Sequence, residues 1–196
     1  MQINTDLPFG DWPQQGEWTY EDFLRLPDVG KRYEIIEGRL YIGDSPTMEH
    51  QYALQKILFQ IHLLTEASVG GMVLIGPIGV HLSETTKPIQ PDGLYIKQDR
   101  LPPKGTEFIE FAPDLIVEVI SPSSIRLDRH IKFDAYERYG VAEYWLVDPK
   151  ARLVEVYTWQ RGEYALWGQY TEDDIVTSQL LEGLAIKASL LFQPKS

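Results

Sequence analysis

Hydrophobic positions along the chain follow two different periods. From Leu54 to Leu64, apolar residues recur at the three- and four-residue spacing of a helix face, and Thr47 supplies a helix-capping side chain before them. The segment 114–120 is instead a short and almost continuous apolar run between two prolines, which is typical of a buried strand. The pattern predicts a long helix from Thr47 and a buried strand at 114–120.

The remaining segments carry weaker versions of the same two signals. They predict a short helix from Thr19, a hairpin at 32–42, one bent strand over 72–82, a strand at 91–96, a helix at 125–139, a strand at 142–147, a hairpin at 153–169 and a short strand near 175–177. The segment 184–192 fits both periods, so its structure stays open. The order predicts a mixed α/β (α+β) fold: a central mixed β-sheet flanked by helices, plus N-terminal and C-terminal β-hairpins.

Length and composition limit the organisation of the chain. With 196 residues, 43% of them hydrophobic, we expect a single domain over 18–192 after a flexible lead-in at 1–17 that is rich in Pro, Gly and Gln. The sequence has no run of 18 apolar residues and no signal-peptide pattern at its start. We therefore expect no membrane association and a cytoplasmic location.

Charge and cysteine content narrow the possible chemistry. The chain has no cysteine, which excludes disulfides, thiolate metal sites and cysteine nucleophiles. Its net charge of −11 argues against a protein that coats nucleic acid non-specifically, because phosphate contacts need lysine and arginine. A nuclease stays possible, because metal sites concentrate acidic residues. The fitting cofactor is a hard cation such as Mg²⁺ or Mn²⁺.

Three residues stand out as candidates for catalysis. Glu118 is a carboxylate inside the buried strand, Asp92 begins the preceding strand, and Lys132 lies on the helix that follows. Two carboxylates on adjacent strands can hold a divalent cation, and a nearby lysine can position water or stabilise charge on a phosphate. A carboxylate on a strand is, however, more often exposed or salt-bridged than catalytic.

Four further residues are candidates for supporting roles. Asp128 and Tyr136 lie four residues before and after Lys132, so they share its helix face and can orient it or simply pack beside it. Glu49 and His50 occupy the first turn of the long helix, where they can assist the metal site or merely favour the helix dipole. By contrast, Glu34 is expected on the surface of the N-terminal hairpin.

Several motifs together resemble a known family. They are Tyr33-Glu-Ile-Ile-Glu-Gly-Arg-Leu40, Glu49-His50, Gln90-Pro-Asp92, Pro113-Asp-Leu-Ile-Val-Glu-Val-Ile-Ser-Pro122, Asp128 with Lys132 and Tyr136, and Gly140-Val-Ala-Glu-Tyr-Trp-Leu-Val-Asp-Pro149. They resemble the Uma family of restriction-endonuclease-like proteins, within the PD-(D/E)xK nuclease superfamily. The resemblance covers roughly 18–192 and is most specific over 114–149. It implies a restriction-endonuclease-like core and a metal-dependent endonuclease in which Asp92 and Glu118 bind the metal.

This chain differs from the superfamily motif at the position of the motif's lysine. Two residues beyond Glu118, where that motif usually has lysine, this chain has Ile120. The resemblance is then to members whose lysine has migrated to the following helix, which makes Lys132 the candidate. Asp114 also follows a proline, but four residues of strand place it roughly 13 Å from Glu118, too far to share one cation.

Other functions remain open or are disfavoured. A catalytically inactive nuclease-like module that binds nucleic acid or a protein partner is the main alternative, and Ile120 favours it. A serine hydrolase is disfavoured because no nucleophile elbow occurs, and an NTPase because no phosphate-binding glycine loop occurs. For the endonuclease, DNA is the expected substrate, and a homodimer is expected because two-fold symmetry is the simplest way to cut both strands.

Overall fold

A computed structural model describes residues 11–193. Its helices are α1 (Tyr20–Leu24), α2 (Met48–Leu64) and α3 (Phe133–Arg138), where α2 continues into a π-helical turn at Thr65–Val69 and α3 is preceded by a π-helical segment at Leu127–Lys132. Its strands are β1 (Arg32–Ile36), β2 (Arg39–Gly43), β3 (Met72–Ile75), β4 (Gly93–Ile96), β5 (Leu115–Val119), β6 (Glu143–Asp148), β7 (Leu153–Gln160), β8 (Glu163–Tyr170), β9 (Ile175–Thr177) and β10 (Ala185–Lys187). Single 3₁₀ turns lie at Gln98–Arg100 and Ala188–Leu191.

Six strands form the central sheet, in the order β3-β4-β5-β6-β7-β8. The β5–β6 pair is parallel, and every other neighbouring pair is antiparallel. A parallel pair needs a crossover connection, and the helical stretch between β5 and β6 supplies it. The predicted mixed sheet flanked by helices is confirmed.

Alternation along β5 assigns its side chains to the two faces of the sheet. Leu115, Val117 and Val119 pack in one hydrophobic cluster with the apolar face of α2. Ile116 and Ile120 pack in the other cluster, which includes Tyr136 of α3. Glu118 has the same parity as Ile116 and Ile120, and it therefore points toward α3.

Both predicted hairpins are present. The N-terminal hairpin β1–β2 is a separate two-stranded sheet, whereas the C-terminal hairpin β7–β8 extends the central sheet. At the start of α1, Thr19 and Asp22 form a reciprocal capping box, which the sequence pattern Thr-x-x-Asp indicates. The open segment 184–192 contains both structures in turn, β10 and then a 3₁₀ turn.

The prediction of one bent strand over 72–82 is wrong. The strand ends at Ile75, and only Val80 continues the pairing, through single bridges to Ile89 and Ile109. The backbone of Gly76 instead donates to the carbonyl of Asp92. The segment after Gly76 is therefore a loop that packs its apolar residues on the sheet. Periodicity alone does not distinguish such a loop from a strand.

The N-terminal lead-in is described only in part, because residues 1–10 lie outside the described residues. Gly16 donates a backbone hydrogen bond to Gly38, and Gln15 bonds the backbone of Leu40 at both its N–H and its carbonyl. Within residues 11–193, no helix has the length and apolar character needed to cross a membrane.

Candidate active site

Glu118 is buried between β5 and α3, and its carboxylate accepts three hydrogen bonds. Lys132 and Tyr136 both donate to Oε1 at 2.8 Å, and the backbone N–H of Asp92 lies 3.3 Å from Oε2. A carboxylate in an apolar strand needs such donors, because burial without them costs several kcal/mol. The apolar sequence around Glu118 thus explains why the π-helical segment and α3 present a lysine and a tyrosine at this point.

Asp92 immediately precedes β4 and lies beside Glu118. Its Oδ2 accepts from the backbone N–H of Val119 at 2.9 Å and lies 3.0 Å from Nε2 of His50, while its Oδ1 accepts from Nη1 of Arg32 at 2.8 Å. The next residue, Gly93, allows α2 to pack closely, since a Cβ there would lie 2.7 Å from Leu58. This close approach brings His50, at the start of α2, to the carboxylate.

A third carboxylate, that of Glu34, completes the cluster from the N-terminal hairpin. Glu34 Oε2 lies 3.1 Å from the Lys132 ammonium and accepts from the backbone N–H of Gln90 at 2.9 Å. The carbonyl of Gln90 in turn accepts from Lys132 at 3.1 Å and from Arg32. The residues Arg32, Glu34, His50, Asp92, Glu118 and Lys132 line one cavity of about 570 Å³.

Burial and neighbouring charges shift the pKa values of these groups in different directions. Burial alone would raise the pKa of Asp92, but the hydrogen bond from His50 and the charge of Arg32 lower it below its usual range. Burial raises the pKa of Glu118, and Lys132 only partly offsets this. Burial would lower the pKa of Lys132, but Glu118 and Glu34 raise it, so the side chain is an ammonium.

Comparison with known proteins identifies the family and the fold of the chain. Residues 20–189 match the model of the Uma2 family, described as "putative restriction endonuclease". The chain belongs to the Uma2 family. A crystal structure described as "a putative nuclease belonging to DUF820", from Anabaena variabilis, aligns with a TM-score of 0.74 and 20% identity, covering 88% of this chain and 96% of that one. No curated protein matches the chain.

Family membership and fold therefore confirm the resemblance inferred from the motifs. At 20% identity, the structural match shows that the Uma2 chain shares the fold of that protein. The geometry also places Lys132, the lysine that lies away from its usual position in the motif. Ile120 is buried in the hydrophobic cluster on the α3 side, and the Lys132 ammonium instead lies 2.8 Å from Glu118.

The structure brings most of the predicted site residues of this Uma2 chain together. Asp92, Glu118, Lys132, His50 and Tyr136 are joined by direct hydrogen bonds, and Asp128 is buried beside Lys132 and interacts with it through charge. Glu49 is exposed at the start of α2 and is not among the residues that line the cavity.

Two residues of the cluster were missed from the sequence. Glu34 is buried rather than on the hairpin surface, and Arg32 pairs with Asp92. A signal for Glu34 does exist: it lies between Tyr33 and Ile35 in an apolar run, as Glu118 does in its own strand. Every residue of β1 after Arg32 is buried, so polar and apolar residues alternate only weakly in the hairpin. This weak alternation hid the signal.

The residues present fit a hard divalent cation. Carboxylate oxygens are the ligands that Mg²⁺ and Mn²⁺ prefer, and Mg²⁺ is commonly held by one or two carboxylates while it keeps several waters. Asp92 and Glu118 supply two such groups in the lining of one cavity. Within residues 11–193, no three acidic or histidine side chains are placed to hold a metal ion together. The fit is therefore to a cation with two protein carboxylates.

The buried carboxyl group of Asp128 makes the stability of the Uma2 chain depend on pH. Burial raises its carboxyl pKa from 3.8 to about 6, despite the opposing charge of Lys132. Because the folded pKa exceeds the unfolded one, stability falls as pH rises from about 4 to about 6. We expect Asp128→Asn to be more stable than wild type by about 3 kcal/mol at pH 8 and equal at pH 4, in urea unfolding. Asp134→Asn, exposed on the same helix, is the control; a constant difference between Asp128→Asn and wild type over this pH range would contradict the assignment.

Proposed function

We propose that the protein is a divalent-metal-dependent endonuclease that hydrolyses DNA phosphodiester bonds. The observation that supports this most directly is that two carboxylates, those of Asp92 and Glu118, and the Lys132 ammonium line a single cavity. Membership of the Uma2 family, described as "putative restriction endonuclease", supports the reaction class.

Each residue of the chain has a distinct role in this proposal. A bound Mg²⁺ or Mn²⁺ would supply Lewis-acid stabilisation of charge on the phosphate. Asp92 and Glu118 would hold the cation through their carboxylate oxygens. Lys132 is an ammonium, so it acts as a hydrogen-bond donor that orients the attacking water or stabilises the phosphate charge, and it does not act as a base. Tyr136 fixes the Glu118 carboxylate through its hydroxyl.

A cleavage assay tests the proposal. The protein is incubated with supercoiled plasmid, linear duplex and single-stranded DNA in Mg²⁺ or in Mn²⁺, beside a sample containing EDTA. We expect nicked or linear products with the metal and none with EDTA. Cleavage that persists in EDTA would contradict the role of the metal, and no cleavage of any substrate would contradict the activity.

A catalytically inactive module that binds nucleic acid or a protein partner is the second candidate. One observation favours it: each of the four carboxylate oxygens of Asp92 and Glu118 already accepts a hydrogen bond from the protein. Calorimetry with Mn²⁺ separates the two proposals. Heat of binding that disappears in Glu118→Ala supports the enzyme, whereas no binding at tens of millimolar Mn²⁺ supports the module.

A homodimer is the assembly we propose for cutting both strands. The edge strand β8 supports it, because it has only one neighbour in the sheet and Leu166 and Trp167 are exposed on it. Two copies of an edge strand pair readily when they lack charged residues, and Glu163, the first residue of β8, is the only charged residue of this strand.

We expect sedimentation equilibrium to show a dimer at tens of micromolar protein. Leu166→Lys, at a site 53% exposed, should shift the protein toward monomer because it places a charge on the pairing edge. Ile75→Lys, 63% exposed on the opposite edge strand β3, is the matched control and should leave the dimer intact. A wild-type protein that sediments only as monomer would refute the assembly.

A further inference from the structure

Arg32 donates hydrogen bonds to two acceptors in the site, and its side chain is partly exposed to solvent. Its guanidinium donates to Asp92 Oδ1 and to the carbonyl of Gln90, and its Nε lies 3.3 Å from Glu34 Oε1 without a hydrogen bond. The side chain of Arg32 is 28% exposed, compared with 1% for Lys132. Arg32 can therefore leave the cluster toward solvent, whereas Lys132 is enclosed by its three acceptors.

The hydrogen bonds on the two carboxylates differ in a way that matters for a cation. Oδ2 of Asp92 has two partners, Val119 and His50, and Oε1 of Glu118 also has two. One oxygen of each carboxylate has a single partner: Oε2 of Glu118 faces a neutral backbone N–H, and Oδ1 of Asp92 faces the Arg32 guanidinium. A divalent cation that uses both of these oxygens meets a positive charge only at Asp92.

We infer that Arg32 and the divalent cation compete for Asp92: Arg32 positions the carboxylate and gives way when the cation binds. This inference rests on the proposed function, from which it takes the cation. Arg32 is then a positioning residue that sets the affinity for metal.

The test compares Mn²⁺ affinity in wild type and Arg32→Met by calorimetry without DNA. We expect Arg32→Met to bind Mn²⁺ about tenfold more tightly or better, because a charged hydrogen bond to the ligand has been removed. Arg100→Met is a closely matched control. Arg100 also bridges a carboxylate and a carbonyl, at 2.7 Å from Asp114 Oδ1 and 2.8 Å from the oxygen of Ala112, and its loss changes the net charge equally.

A second measurement uses the wild-type protein and so does not depend on the folding of a variant. Arginine side chains are modified with phenylglyoxal and quantified by peptide mass spectrometry, with and without saturating Mn²⁺. Modification of Arg32 should become faster with Mn²⁺, and that of Arg100 should not change.

The outcomes separate this inference from the proposed function. Equal Mn²⁺ affinity in wild type and Arg32→Met, or an Arg32 modification rate that Mn²⁺ leaves unchanged, overturns the competition and leaves the metal-dependent enzyme standing. Mn²⁺ binding to neither protein overturns the proposed function and the inference with it. If Arg100→Met also binds Mn²⁺ more tightly, the effect comes from net charge alone. That result would also overturn the competition.

Discussion

Replacing Lys132 by methionine is expected to destabilise the protein by about 3 to 5 kcal/mol at pH 8, the usual cost of removing one partner from a buried ion pair. Lys132 is 1% exposed and neutralises Glu118 at 2.8 Å and Glu34 at 3.1 Å. Methionine fills a similar volume, so the loss reports the charge rather than a cavity. Urea unfolding followed by tryptophan fluorescence measures it.

The loss should depend on pH. Burial already raises the pKa of Glu118, and removal of Lys132 raises it further. A carboxyl with a folded pKa above its unfolded value weakens the fold as pH rises past the unfolded value, near 4.3. The destabilisation by Lys132→Met is therefore smaller at pH 5 than at pH 8.

Two further variants complete this experiment. Lys87→Met removes a lysine paired with Glu84, which is 92% exposed, and should change stability little because solvent screens a surface ion pair. The double variant Lys132→Met with Glu118→Gln should recover part of the lost stability at pH 8, because it removes one of the two carboxylates that Lys132 neutralises. A Lys132→Met protein as stable as wild type at pH 8 would refute the ion-pair assignment.

The part of the site around Glu118 was predictable because it is local in sequence. A lone carboxylate in an apolar strand requires compensation, and the helix that follows the strand carries Lys132 and Tyr136 on one face. The connection between the strand and the helix is short, so the helix has to pack over the strand it follows. From these constraints alone, Lys132 could be chosen at a position that the superfamily motif does not use.

The contribution of the hairpin was not predictable in the same way. Arg32 lies sixty positions before Asp92, and no local period says which side of β1–β2 will face the central sheet. That side is fixed by tertiary contacts, such as the backbone hydrogen bond from Ile35 to Pro88. The bent strand over 72–82 failed for a related reason, since burial of a loop and of a strand give the same apolar pattern.

The largest effect on activity is expected for Glu118→Gln, which should lower DNA cleavage in Mg²⁺ by about 10²- to 10³-fold, the size of effect seen when one charge-stabilising group is removed. Glutamine keeps an oxygen for Lys132 and Tyr136, which both bond Oε1 in the wild type, and loses the weaker bond from the backbone N–H of Asp92. The variant therefore loses the negative charge that a cation requires while it retains its two side-chain partners. Unfolding curves should show a folded protein, and the cleavage assay should show its loss of activity.

Asp114→Asn is the control that gives this result its meaning. Asp114 immediately precedes the strand that carries Glu118 and is also buried, but its carboxylate accepts from Arg100 and from the backbone of Lys97. The substitution removes the same charge beside the same strand but outside the cavity, so cleavage should stay within about threefold of wild type while stability falls by about 1 to 3 kcal/mol, the range for a hydrogen bond to a charged group. If Asp114→Asn loses cleavage as completely as Glu118→Gln, strand integrity rather than the Glu118 carboxylate limits the reaction. If Glu118→Gln cleaves like wild type, the proposed metal ligand is wrong, because a carboxamide binds a hard cation far more weakly than a carboxylate.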